Sequence, residues 1–262
     1  MGIRLIILDI DGTIIHRPTG FGISSKLVEA ISEAKKHCIK ICLCSGRPWF
    51  AMTEIIRTLN IDTPAICCNG AYITDGKTYV QIADLSRDLV EGCLRSSQKL
   101  NIGMILISCT NIYRILSDTL ENTLYEEIKD IVNIKEDIMS VCLFVNENVT
   151  FEKLHACLQE ELGELYYELN ICKSEEGVLM ITNKDADKGK AMLIVAEKLQ
   201  ILPEEIMAIG NEENDIPMIR TAGYGVAVAN AEKAVKQSAD YIVPDVWHNG
   251  VVDAIYKYAL GT

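Results

Sequence analysis

Ile3-Arg4-Leu5-Ile6-Ile7-Leu8-Asp9-Ile10-Asp11-Gly12-Thr13 is the stretch on which the reading of this chain turns. The apolar run, broken only by Arg4, has the signature of a strand buried on both faces of a parallel sheet. Two carboxylates sit where it ends. Side chains alternate in an extended segment, so Asp9 and Asp11 point the same way, and Gly12 lets the backbone turn without a Cβ clash. Like charges facing one spot are costly unless a cation or proton neutralises them. In an α/β sheet that spot is also the edge at which ligands bind. A divalent metal with an anionic substrate is the first expectation.

Working outward, strand and helix patterns alternate, which points to an α/β fold. A helix from Ser24 or Ser25 to about His37 shows an apolar face at Leu27, Val28, Ile31 and Ala34. Ile39–Cys44 reads as a second buried strand ending at Ser45-Gly46-Arg47-Pro48, with a helix following to about Leu59. Ala65–Cys68 is a short strand before the turn signal Asn69-Gly70, and residues 71–82 form a small hairpin around Asp75-Gly76. Near Ala83 the texture changes. Helices are expected over Ser86–Leu100, Leu120–Val132 and Phe151–Leu162. Strands are expected at Gly103–Ser108, Ile112–Leu116, Ile138–Val145, Glu164–Asn170 and Val178–Thr182. Strands beside strands imply a mainly antiparallel sheet covered on one face. Alternation then returns, with helices at Lys190–Leu199, Asp215–Thr221, Ala231–Ser238 and Gly250–Ala259 and strands at Ile206–Ile209, Tyr224–Val228 and Tyr241–Val243. The expected architecture is a Rossmann-like three-layer core with a parallel sheet, residues 1–82 plus 184–262, into which an α+β domain, residues 83–183, is inserted.

Bulk properties narrow the function. The 262 residues suffice for a full core. A net charge of −12 argues against a nucleic-acid backbone or an anionic membrane as partner. No apolar run approaches a membrane span, and Asp9 and Asp11 interrupt what would be the core of a secretory signal. Ten cysteines, scattered without a tandem C-x-x-C pair, read as reduced thiols in a cytoplasmic protein.

Four places combine strand ends or helix starts with phosphate or metal chemistry. Besides Asp9–Thr13, Ser45-Gly46-Arg47 offers a hydroxyl, an unhindered amide and a guanidinium to phosphate oxygens. Lys188, just ahead of a helix, supplies a point charge. Gly210-Asn211-Glu212-Glu213-Asn214-Asp215 brings oxygen ligands to another sheet edge, and hard oxygens suit Mg²⁺ better than zinc. By contrast, His16, His37, His155 and His248 lack metal-ligand spacing. Asp185 and Asp187 read as solvated loop residues, Asn69-Gly70 as a turn, and Tyr113, Tyr166 and Tyr167 as sheet packing.

The ordered set resembles the haloacid dehalogenase-like phosphohydrolases, and more narrowly the Cof-type subfamily, whose type IIB cap lies between the second and third motifs. Asp9–Thr13 matches DxDGT, Ser45-Gly46-Arg47 matches [TS]GR, Lys188 the lone lysine and Gly210–Asp215 GDxxND. Cys68-Asn69-Gly70-Ala71 resembles the subfamily's NGA segment and Asn249-Gly250-Val251 its late DGV turn. The resemblance implies a phosphatase in which Asp9 attacks phosphorus and Asp11 serves as acid and then base. Mg²⁺ would be held by Asp9, the Asp11 carbonyl, Asn211 and Asp215. Gly12, Ser45, Gly46, Arg47, Lys188 and Asn214 would receive phosphate and substrate, and the cap would close over the pocket. The implied partner is a small phosphorylated metabolite, foremost a sugar phosphate, handled by a monomer or homodimer.

Asn211 departs from the pattern. It stands where the family has an acid, which removes one negative charge from the metal site. Two alternatives therefore stay open: a phosphohexomutase of the same broad family, and a catalytically weakened protein that binds a phosphorylated ligand.

Overall fold

The computed structural model describes residues 2–16, 22–115, 126–127, 131–175 and 177–262. The chain divides into two compact units, one formed by Met1–Val80 with Asp187–Thr262 and the other by Gln81–Ala186.

The first unit is built on five parallel strands in the order Tyr241–Val243, Tyr224–Val228, Ile206–Gly210, Leu5–Leu8, Lys40–Leu43. Leu5–Leu8 and Ile206–Gly210 are buried at every position, which is why both read as unbroken apolar runs. They are neighbours, with Leu8 opposite Ile209. The strand order reverses between them, so their carboxyl ends open a crevice at the topological switch point. Asp9 and Asn211 both emerge there. A parallel bridge between Cys44 and Ile66 leads on to a small antiparallel sheet of Ala65–Cys67, Tyr72–Thr74 and Tyr79–Gln81. The hairpin turn is held by Asp75, whose Oδ1 accepts from the Lys77 and Thr78 amides.

The helices fall into two groups. Ser25–Lys36 packs against the closing helix, and Lys188–Leu199 packs against Ile216–Thr221, which in turn meets Lys233–Ser238. Ser24 caps the first helix by accepting from the Leu27 amide. Its buried stripe is Leu27, Ala30, Ile31 and Ala34, so the face is rotated from the expected one and Val28 lies only half-buried. The segment after Pro48 opens as a 3₁₀ turn, Trp49–Ala51, before the α-helix Thr53–Thr58. The closing helix is α over Gly250–Ala254 and π over Ile255–Leu260.

The inserted unit carries a six-stranded sheet in the order Leu169–Glu175, Val178–Asn183, Ile138–Phe144, Gly103–Ser108, Ile112–Ile115, Glu126–Glu127. All its pairings are antiparallel except the last. The helices Arg87–Leu100 and Phe151–Leu162 lie against each other, and their leucines join Leu106, Val141, Leu143 and Ile181 in one apolar core. Two expectations need correction. The helix over Leu120–Val132 lies largely outside the described residues, and within that range Glu126–Glu127 is a strand. The segment from Glu164 is not a strand, because Gly163–Glu168 winds as a 3₁₀ helix and the strand starts at Leu169. Its Leu and Tyr residues suit a strand, but Tyr166 is tied back to the preceding helix by a 2.8 Å hydrogen bond with His155 Nδ1. Tyr166 and Tyr167 therefore pack edge to face on a turn rather than within the sheet.

Candidate active site

At the switch point Asp9 leaves its strand almost fully buried, with 5% of its surface exposed. Its amide donates to the Ile209 carbonyl, continuing the sheet by one bond. Its two carboxylate oxygens have different company. Oδ1 accepts from Lys188 Nζ at 2.8 Å, and Oδ2 accepts from Thr13 Oγ1 at 3.0 Å. Lys188 is the first residue of its helix rather than lying ahead of it. Asp187, expected on a solvated loop, is the N-cap and accepts from the Lys190 amide. That cap fixes the start of the helix and so points the Lys188 stem inward.

Lys188 is 1% exposed and also donates to Asp215 Oδ1 at 2.6 Å. Burial works to strip its proton, but Asp215 and Asp9 outweigh that and hold its pKa well above the ordinary value. For Asp9 the balance goes the other way. Burial, with Asp215 adding to it, outweighs the attraction of Lys188 and pushes the carboxyl up from 3.8 to about 6. A buried acid poised near neutrality is the electrostatic mark of a working site.

Both carboxylate oxygens of Asp215 are engaged within the protein. Its Oδ1 meets Lys188, and its Oδ2 accepts from the amides of Asn211 and Glu212 at 2.8 and 3.0 Å. It fastens the 211–215 loop and anchors the lysine. Asp11 is likewise engaged. Arg47, expected on substrate, donates Nε to Asp11 Oδ2 at 2.8 Å and Nη2 to Oδ1 at 2.6 Å. Ser45 is buried and its Oγ accepts from the Arg47 amide, which leaves the hydroxyl proton free to donate. Gly46 lies between these two residues. Gly12 is placed against Asn211, where a Cβ would come within 2.5 Å of the amide.

The side-chain terminus of Asn211 lies 3.0 Å from both Asp9 Oδ2 and the Asp11 carbonyl oxygen. With the amide oxygen turned inward, it lies 3.0 Å from each of two other oxygens, and hard oxygens are the donors Mg²⁺ prefers. With the amide turned over, its nitrogen is within hydrogen-bond reach of the same two oxygens and of Thr13 Oγ1, and can give its two protons among them. The donor set fits a magnesium ion, and the amide can close the gap by itself. Among the described residues no group of three His, Cys, Asp or Glu side chains is gathered for a metal. Asp9 supplies the one carboxylate of this oxygen set, whose other members are a peptide carbonyl and an amide.

Two residues that sequence reasoning left without a role belong to the site. Thr13 bonds Asp9 directly. Asn69, read as a turn, accepts through Oδ1 from Asn214 Nδ2 at 3.0 Å. The only signal for either was position within a motif.

A parallel-sheet core with an inserted α+β unit, and a carboxylate pair, a lysine and an amide-bearing loop at its switch point, defines a hydrolase of the haloacid dehalogenase type. The chain belongs to the haloacid dehalogenase-like hydrolases, whose family profile matches residues 6–255. Putative phosphatase YxeH of Bacillus subtilis (strain 168) is 27% identical, with 98% of each chain covered. Pyridoxal phosphate phosphatase YbhA of Escherichia coli (strain K12) is 27% identical over 99% of this chain and 100% of its own. A haloacid dehalogenase-like hydrolase from Bacteroides thetaiotaomicron superposes with a TM-score of 0.80 at 24% identity, covering 97% of this chain and 99% of its own. The subclass IIB sugar phosphatase BT4131 gives 0.82 at 23% identity, covering 98% and 99%. None of the ten cysteines is in a disulfide. No helix among the described residues is long and apolar enough to cross a membrane.

Proposed function

We propose that this chain is a Mg²⁺-dependent phosphatase of small phosphorylated metabolites, with sugar phosphates the first class to test. The observation that carries the reading is the divided environment of Asp9, with Lys188 on one oxygen and Thr13 and Asn211 beside the other. A carboxylate so placed can act as a nucleophile toward phosphorus. One Asp9 oxygen attacks, the phosphorus–oxygen ester bond breaks, and Asp11 gives its proton to the departing alkoxide. Asp11 then takes a proton from the water that hydrolyses the aspartyl-phosphate, which returns Asp9 and releases inorganic phosphate.

Ser45 Oγ, the Gly46 amide, Lys188 and Asn214 meet the phosphoryl oxygens as their charge redistributes. Asp215 holds Lys188 in place. Asp9, the Asp11 carbonyl and Asn211 would hold Mg²⁺, which supplies charge neutralisation between nucleophile and phosphate. Relatives whose names state a substrate include phosphatases of pyridoxal phosphate, of 5-amino-6-(5-phospho-D-ribitylamino)uracil and of phosphoglycolate, so phosphorylated cofactors, their precursors and small phosphorylated acids belong in the same panel.

The test is phosphate release from a panel of sugar phosphates, pyridoxal phosphate, flavin precursors and phosphoglycolate, with and without Mg²⁺, using Asp9→Asn as the blank. Mg²⁺-stimulated release that the blank lacks is expected. The inward-donating orientation of the Asn211 amide favours one other reading, a phospho-ligand-binding protein. Tight binding of a panel member without turnover at millimolar Mg²⁺ would establish that instead.

A further inference from the structure

The segment Cys68-Asn69-Gly70 holds three consecutive residues at positive φ, namely 48°, 58° and 96°. Only Gly, and to a lesser degree Asn, takes that region without appreciable cost. Such a run is maintained by its surroundings, and here the surroundings are the other motif loops. The Cys68 amide donates to the Arg47 carbonyl at 3.1 Å and the Asn69 amide to the Ser45 carbonyl at 3.0 Å. Gly70 presses on the backbone of Asp187, the residue before Lys188, where a Cβ would meet the carbonyl oxygen at 2.5 Å. The segment is thereby locked to the second motif on one side and to the lysine helix on the other.

Into this frame Asn69 is buried to 2% exposure, and its Oδ1 takes one of the two amide protons of Asn214. The Asn214 oxygen is itself buried without a partner among the described residues. The orientation of the Asn214 amide thus depends on Asn69, and with the first proton committed the direction of the second is fixed.

We propose that Asn69 is a positioning residue, which holds the Asn214 amide so that its remaining N–H is aimed at the phosphoryl group. This rests on the phosphatase reading above. An amide donor aimed in advance contributes to transition-state stabilisation without reorganising, whereas an untethered one must be ordered in each turnover.

The test is a double-mutant cycle on p-nitrophenyl phosphate with saturating Mg²⁺. Asn69→Gly keeps the left-handed backbone and deletes the side chain that carries the acceptor. It should lower kcat on the order of 10-fold, with a smaller change in KM. Asn214→Ala should cost at least as much, and Asn69→Gly should then cost almost nothing further in the Asn214→Ala background. Multiplicative losses, with a wild type that turns over and an inactive Asp9→Asn, would overturn the positioning role alone. No phosphate release from the wild type on this probe or the substrate panel would overturn the phosphatase reading and this role with it. Should Asn69→Gly fail to fold, Asn69→Asp serves, because it keeps both the acceptor and a tolerated left-handed conformation. Its added charge should raise KM while kcat stays within about threefold of wild type. A fall in kcat as deep as that of Asn214→Ala would refute the assignment.

Discussion

Arg47 grips Asp11 at two points, with Nε 2.8 Å from Oδ2 and Nη2 2.6 Å from Oδ1. A planar guanidinium facing a carboxylate edge-on is a strong and directional pairing. It also occupies both oxygens of the residue proposed to pass protons. For Asp11 to meet a leaving group, one of those bonds has to open, so the arginine both aims the carboxylate and resists its departure.

Arg47→Lys keeps the charge and removes the fork. We expect kcat to fall on the order of 10-fold because Asp11 loses its orientation. Stability should change by less than about 1 kcal/mol, since the arginine side chain is about one-third exposed. Steady-state rates on p-nitrophenyl phosphate and a thermal melt of the same sample decide it. An unchanged kcat with a large drop in melting temperature would make the pair a structural clamp only.

Asn211 offers a sharper contrast. Its terminus is 3.0 Å from Asp9 Oδ2 and from the Asp11 carbonyl oxygen. A carboxylate there could not donate to either oxygen, and it would add a fourth carboxylate beside Asp9, Asp11 and Asp215. Metal-free Asn211→Asp should therefore melt below wild type. Magnesium should raise its melting temperature by more, and the concentration giving half the full shift should fall on the order of 10-fold. The readout is thermal and needs no substrate. Identical magnesium responses in the two proteins would show that this side chain is not a ligand.

How much of this was legible beforehand differs from residue to residue. Leu5–Leu8 and Ile206–Gly210 were plain as apolar runs, because a strand covered on both faces has no polar position to interrupt it. Asp9, Asp11 and the 210–215 loop stood out because they follow such runs. What a linear reading missed was pairing across long separations. Arg47 could face substrate or protein, and only the fold sets it on Asp11, 36 residues away. Asn69 and Asn214 are 145 residues apart, so nothing local distinguishes this Asn-Gly from an ordinary turn. In the inserted unit Glu164–Glu168 misled, since its Leu and Tyr residues suit a strand while Tyr166 is hydrogen-bonded back to His155 on the preceding helix.

Gly70 links fold to site. Its φ of +96° is one that a residue with a Cβ rarely adopts, and the added carbon would lie 2.5 Å from the Asp187 carbonyl oxygen. Backbone on both sides leaves no flexible side chain to yield. Gly70→Ala should cost about 2–4 kcal/mol, combining strain with the clash. Because Asp187 caps the helix that begins at Lys188, the shift should also reduce phosphate release beyond what partial unfolding explains. Denaturant melts give the first quantity, and rates corrected for the folded fraction give the second. A full melt-corrected rate would mean the displacement is absorbed before it reaches Lys188.

If Asp9 holds the metal as proposed, its elevated pKa should set the pH dependence of metal binding. In the metal-free protein burial, reinforced by Asp215 and opposed by Lys188, moves the carboxyl from 3.8 to about 6. Between those values the folded chain keeps a proton that the unfolded chain gives up. The stabilisation this group contributes is therefore present on the acid side and is lost as pH rises through about 6. Magnesium needs the ionised form, so its affinity should level off above about pH 7 and weaken toward tenfold per unit below pH 6. Titration calorimetry at about pH 5, 6 and 7 should show the weakening together with proton uptake by the buffer at the acid end. Asp9→Asn should lose phosphate release altogether and melt higher than metal-free wild type at pH 7, because the costly buried charge is gone. An affinity that stays level from pH 5 to 7 would mean that Asp9 is ionised throughout, with the lysine outweighing the burial that surrounds both.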